Sequence, residues 1–129
     1  MERQHAASGS PYESTIGFSR AVRLGNVIAV SGTAPVWPDG EVDPDPAAQA
    51  RRCIEIALAA LAQLGGRAED VVRTRQYIVH ADDADAVGAV HGEVFGRIRP
   101  ASTMVVVAGL LDPRWRYELE LDAVVPPSR

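Results

Sequence analysis

Residues 117–123, Tyr-Glu-Leu-Glu-Leu-Asp-Ala, alternate between acid and apolar side chains. Side chains alternate across a strand, so Glu118, Glu120 and Asp122 share one face and Leu119, Leu121 and Ala123 the other. Such a strand needs an apolar layer on one side. On the other it needs something that can meet carboxylates: water, a neighbouring subunit or a small-molecule site. Arg99-Pro100-Ala101-Ser102-Thr103-Met104 precedes it and leads into a second strand.

Upstream, the pattern supplies the apolar layer. Phe18 to Arg23 and Val27 to Ser31 read as strands joined at Gly25-Asn26, where Gly at the first central position suits a type II′ hairpin. Residues 32–46 hold four prolines and two glycines and read as an irregular loop. Then the period changes. Ala50, Cys53-Ile54, Ala57-Leu58, Leu61 and Leu64 recur at three and four, which predicts an amphipathic helix. Asp45 is placed to cap it, Pro46 to start it and Gly65-Gly66 to stop it. Val71 to Val79 reads as a strand. A second helix is capped by Asp82 or Asp83, points Ala86-Val87, Val90, Val94-Phe95 and Ile98 inward, and stops at Pro100. Thr103 to Ala108 and Arg116 to Val125 close the sheet. The order ββαβαββ predicts a two-layer α+β domain with both helices on one face of the sheet. Residues 1–15 read as a flexible lead-in and residues 16–129 as a single domain.

The other sheet face carries Arg73, Arg75 and Tyr77 on one strand and the three acids on another. If these strands are neighbours, cross-strand Arg–carboxylate pairs form, each worth about 0.2–1 kcal/mol when exposed. A face mixing charge with Val, Met and Tyr points to contact between copies in a closed ring. The net charge of −4 gives no electrostatic argument for nucleic acid or an anionic membrane. No apolar run approaches the ~20 residues that span a bilayer, and the first residues carry no apolar signal core. A single cysteine, Cys53, excludes an internal disulfide and fits a reducing cytoplasm.

His5, His80 and His91 are scattered without metal-ligand spacing, so no metal site is predicted. Cys53 lies on the apolar helical stripe and reads as an inert thiol. Ser31 is not in a GxSxG turn and has no assignable base. A softer set remains. Ser31, Gly32 and Thr33 leave a strand for a Pro/Gly loop, where backbone N–H groups can receive an oxygen. Phe18 and Arg20 share a strand face and suit an apolar floor and an anion clamp. Glu118 either activates a water or pairs with Arg73 or Arg75.

In order along the chain stand Leu24-Gly25-Asn26-Val27, Val30-Ser31-Gly32-Thr33-Ala34-Pro35, Gln49, Leu64-Gly65-Gly66, Glu69-Asp70-Val71-Val72-Arg73, Phe95, Arg99-Pro100-Ala101 and Tyr117-Glu118-Leu119-Glu120. In these pieces the chain resembles the RidA (YjgF) family. The resemblance implies a chorismate-mutase-like subunit, a cytoplasmic homotrimer whose sheets form an inner barrel, and small-molecule clefts between subunits. It also implies cofactor-free hydrolysis of enamines and imines, such as 2-aminoacrylate, to a keto acid and ammonia. By resemblance Glu118 positions the water, Phe18 replaces a pocket Tyr, Ser31 and Gly32 are intact, and Gly88 stands where the family has Asn. Ser102 stands where the deaminases carry the arginine that holds the substrate carboxylate. The chain thus resembles an arginine-lacking branch, with Arg20 and then Arg99 as candidates to compensate. Loss of that clamp would cost about 1.5–3 kcal/mol. The alternative is a non-catalytic trimer that binds a metabolite or a protein.

Overall fold

The computed structural model describes residues 1–128. Strands β1 (Arg3–Ala6), β2 (Ala21–Leu24), β3 (Val27–Thr33), β4 (Val71–Ile78), β5 (Ala101–Val106) and β6 (Tyr117–Val124) form one sheet in the order β1-β2-β3-β6-β4-β5. Helices α1 (Pro46–Gln63) and α2 (Ala84–Phe95) pack against each other, and α1 lies on β3 and β6. Only β4 and β5 run parallel, with α2 as their crossover.

The helix boundaries follow from local chemistry. The Asp45 carboxylate accepts from the Ala48 N–H, and Pro46 occupies the first turn, where no donor is missed. At the other end the Gly66 N–H reaches Leu61 and the Gly65 N–H reaches Ala62, closing the last turn of α1. The β2–β3 hairpin turns at Gly25 with φ +62°, the left-handed conformation that the expected turn needs at that position.

Along β6 the alternation is realised. Tyr117, Leu119, Leu121 and Ala123 are fully buried beneath α1, together with Ile28 and Val30 of β3 and Ile78 of β4. Burying each Leu contributes about 1.5–3 kcal/mol. Glu118, Glu120 and Asp122 emerge on the face that no helix covers. Strand β5 forms one edge of the sheet, with Val105 and Val106 exposed.

Four expectations need correction. The lead-in contains strand β1, paired antiparallel with β2, and Ala6 is buried. The first predicted strand starts later, at Ala21, leaving Phe18 and Arg20 just ahead of it. Ala86 is exposed, because the buried stripe of α2 runs through Val87, Val90 and Phe95. Asp83 stands at the cap position of α2 but makes no side-chain cap. Its carboxylate instead receives Arg116 Nε and Nη2 at 2.9 and 2.8 Å. A two-pronged guanidinium contact outcompetes a single backbone N–H.

Candidate functional site

The site begins with a fault in the sheet. Val30 pairs with Leu121 and Thr33 with Leu119, so Ser31 and Gly32 of β3 together face one residue, Glu120, of β6. This is a β-bulge, a device that re-aims side chains and carbonyls. Side chains satisfy its polar groups. The Ser31 hydroxyl donates to the Ser19 carbonyl at 2.7 Å, and the Thr33 hydroxyl donates to the Ser31 carbonyl at 2.8 Å. Arg20 Nη2 donates to the Gly32 carbonyl.

Glu118 rests against this bulge. A Cβ placed on Gly32 would lie 2.7 Å from Glu118 Oε2, so the carboxyl occupies space that only glycine leaves open. Gly32→Ala is therefore expected to keep the fold, because the displaced atom ends a flexible side chain, while moving the carboxyl. The check is an unchanged melting temperature with a shifted Glu118 carboxyl signal in carbon-detected NMR.

Burial pushes the Glu118 carboxyl above the ordinary glutamate value. Arg20 opposes that push and Glu120 adds to it. Among the described residues no cation lies within ion-pair distance of Glu118. The pairing considered with Arg73 or Arg75 does not form. The β4–β6 register sets Tyr77 opposite Glu118 and Arg75 opposite Glu120. Arg75 accordingly reaches Asp122 at 3.3 Å and Glu120 at 4.0 Å, and the Tyr77 hydroxyl donates to Glu120. The carboxylates at 120 and 122 are thus engaged, while the one at 118 is not.

Phe18, Arg20, Ser31, Gly32 and Glu118 gather at this bulge, with the Arg20 guanidinium 5.9 Å from the Phe18 ring centre. Thr33, by contrast, stands opposite Leu119, is fully buried and touches the bulge only through its hydroxyl. Gly88 and Ser102 do not join them. Ser102 Oγ accepts from Thr74 Oγ1 at 2.8 Å and from Gln76 Nε2 at 3.3 Å, on the helix-covered side of the sheet. Thr74 also meets His91 Nε2 at 2.8 Å, and burial holds the His91 ring below the ordinary histidine value. Gly88 lies one turn before His91, with open space where a Cβ would be. Within one chain the two groups of residues face opposite ways.

A cavity of about 580 Å³ lies at the end of α2 beside Glu69 and Arg97, and one of about 440 Å³ lies beside Met1 and Arg23. Neither includes Glu118, which stands on an open sheet face. Enclosing a ligand there requires a second surface. Among the described residues no three His, Cys, Asp or Glu side chains converge as a metal site, and no helix is long and apolar enough to cross a membrane.

Sequence reasoning missed the bulge and the Arg20–Gly32 link. The available signal was a glycine inside a strand pattern, which marks bulges and close approaches. It also left Gln49 without a role. Gln49 is fully buried and donates to the Asp43 and Arg114 carbonyls at 2.8 and 3.0 Å, while accepting from the Arg116 N–H at 2.7 Å. It ties α1 to the long loop and to the chain entering β6.

Known proteins share this fold. The family model described as Endoribonuclease L-PSP matches residues 9–125. Rv2704 of Mycobacterium tuberculosis, described as a member of the YjgF/YER057c/UK114 family, superposes with a TM-score of 0.89 at 41% identity, covering 96% of this chain and 100% of that one. The 2-iminobutanoate/2-iminopropanoate deaminase of Escherichia coli K12 is 34% identical over 96% of this chain and 97% of its own. TdcF of E. coli, solved with bound serine, superposes at 0.81 with 25% identity over 95% of this chain and 94% of its own. A family match across nearly the whole chain, with relatives of this identity and coverage, settles the kinship: the chain belongs to the Endoribonuclease L-PSP family, also known as the YjgF or RidA family.

Proposed function

We propose that this chain is a cofactor-free hydrolase of small imines and enamines, acting in clefts formed where the open sheet faces of three copies meet. The observation that supports this most directly is Glu118: a half-buried carboxyl, lifted by burial, seated on a bulge and paired with no cation among the described residues. A half-buried carboxyl raised in this way is placed to take up a proton and give it back during a reaction. As carboxylate, Glu118 takes a proton from water while the oxygen bonds to the imine carbon. The nitrogen gains that proton, and then the second water proton, which leaves the hydroxyl of the adduct as the carbonyl forms and the C–N bond breaks. An enamine first moves a proton to carbon to become the imine, and the products are a carbonyl compound and ammonia. Phe18 packs the ligand, Ser31 and Gly32 offer polar contacts, and Thr33 supports them from beneath through the Ser31 carbonyl. Arg20 turns the free end of its guanidinium to an anionic group. Gly88 and Ser102 contribute from a second copy, since they face away from Glu118 in their own. The deaminase named among the relatives and the serine bound to TdcF fit a ligand of amino-acid size. The acidic balance of the chain speaks against RNA as ligand.

The test is ammonia release from freshly generated 2-aminoacrylate, run beside a Ser102→Arg variant. Slow release by the parent is expected, with kcat/KM rising about ten- to a hundredfold in the variant, the value of one bidentate Arg–carboxylate contact. No release from either protein overturns the hydrolase.

One observation favours a second reading, a trimer that binds a metabolite without turning it over. Position 102 carries no charge, and its hydroxyl is already engaged by Thr74 and Gln76. Saturable binding of the imine's carbonyl product, with no ammonia from parent or variant, supports that reading.

A further inference from the structure

We propose that Arg20 is a positioning residue of this site: its guanidinium clamps the β3 bulge through the Gly32 carbonyl and so fixes the floor on which the Glu118 carboxyl rests. The inference depends on the reading of Glu118 as the water-activating group.

Three side chains tether the bulge. Those of Ser31 and Thr33 secure the Ser19 and Ser31 carbonyls. Arg20 is the one that holds Gly32. Gly32 is also the residue whose missing Cβ makes room for Glu118, with only 2.7 Å between that position and Oε2. A shift of Gly32 therefore becomes a shift of the carboxyl. Arg20 is itself fixed from several sides. Its backbone N–H donates to the Ala6 carbonyl, and its own carbonyl accepts from the Ser31 N–H, stitching it between β1 and the bulge. Its Nε is buried with no acceptor among the described residues, so the Gly32 contact anchors the planar head.

The charges around Glu118 assign a second consequence. Glu120 faces it from its own strand and Tyr77 from β4, while Cys53 senses it from α1. Among the described groups that act on the carboxyl, Arg20 alone favours its ionised form, against burial and Glu120. Removing Arg20 both loosens the floor and leaves the opposing influences unchecked.

The test follows the Glu118 carboxyl by carbon-detected NMR titration of the ligand-free full chain. The signal is assigned by its loss in Glu118→Gln, and the parent is compared with Arg20→Gln and Arg20→Lys. The titration midpoint is expected to rise in Arg20→Gln, with the acidic limb of the kcat/KM profile rising in step. In Arg20→Lys the charge is kept but the planar fork is lost. There the midpoint is expected to move less, while the Gly32 amide signal shifts. An unmoved midpoint in Arg20→Gln, at an unchanged melting temperature, overturns the proposal; a raised KM alongside it makes Arg20 a ligand contact alone. If Arg20→Gln fails to fold, Arg20→Lys decides by the Gly32 amide, and an unshifted amide overturns the clamp. The titration needs no turnover, so absence of hydrolysis in the parent would refute the proposed reaction without being confused with this result.

Discussion

Glu118→Gln is expected to lose turnover by about 10²–10⁴-fold, the range for removal of a general acid–base group, and yet to melt at a higher temperature than the parent at pH 7. Both effects have one origin. Burial raises the Glu118 value in the folded chain above the ordinary 4.5. A carboxyl raised in this way contributes its full stability below the unfolded value and loses it as pH rises through the folded value. At neutral pH the parent therefore carries the cost of a half-buried charge that the amide lacks. The difference in melting temperature should be smallest near pH 4, grow as pH rises through the folded value and hold above it. Parallel melting curves from pH 4 to 8 check it. A variant less stable than the parent at pH 7 would mean that the carboxylate is held by interactions stronger than its burial cost. Stability and proton chemistry pull against each other at this residue, as is common where a site needs an uncomfortable group.

The second large effect lies away from the chemistry. Gln49→Leu keeps size and helix preference but deletes three hydrogen bonds to the Asp43, Arg114 and Arg116 backbones. Each of the three part-buried bonds contributes about 0.5–1.5 kcal/mol net, so a loss on the order of 1.5–4.5 kcal/mol is expected. That corresponds to a fall in melting temperature of roughly 5–15 °C. Chemical denaturation with an unchanged slope and a lower midpoint would show it. Because Arg116 leads directly into Tyr117 and Glu118, the same substitution should loosen the start of β6. Hydrogen exchange at the Arg116 amide reads that loosening directly.

Elements bounded by local chemistry were legible in the sequence. Helix α1 carries its own start in Asp45-Pro46 and its stop in Gly65-Gly66, and the hairpin at Gly25 needs only its own turn residue. The alternation of β6 predicted its two faces correctly. Strand β1 escaped because Arg-Gln-His-Ala shows no alternation. It is held by backbone pairing to β2 and by one buried methyl, that of Ala6. Register escaped for a deeper reason. Sequence put Arg73, Arg75 and Tyr77 on one face, but nothing local decides which of them stands opposite which acid. The structure gives Arg75 to Glu120 and Asp122, and leaves Glu118 to the bulge. Similarly, no local pattern reveals that Ser102 turns toward Thr74 and α2, on the face opposite Glu118. That follows from its parallel pairing with β4.

The Ser102 hydroxyl has a consequence for how such a chain can change over time. It accepts from both Thr74 and Gln76. Thr74 can turn its proton to His91, but the Gln76 amide, almost wholly buried, also holds the Tyr117 hydroxyl on its oxygen and cannot simply swing away. Installing arginine at 102 strands that amide N–H, at about 1–3 kcal/mol. A change at 76 must then come first or follow at once, and it must still provide for Tyr117. The mutational path to a charged residue at this position is therefore ordered, and the single step is disfavoured even where a guanidinium would be useful.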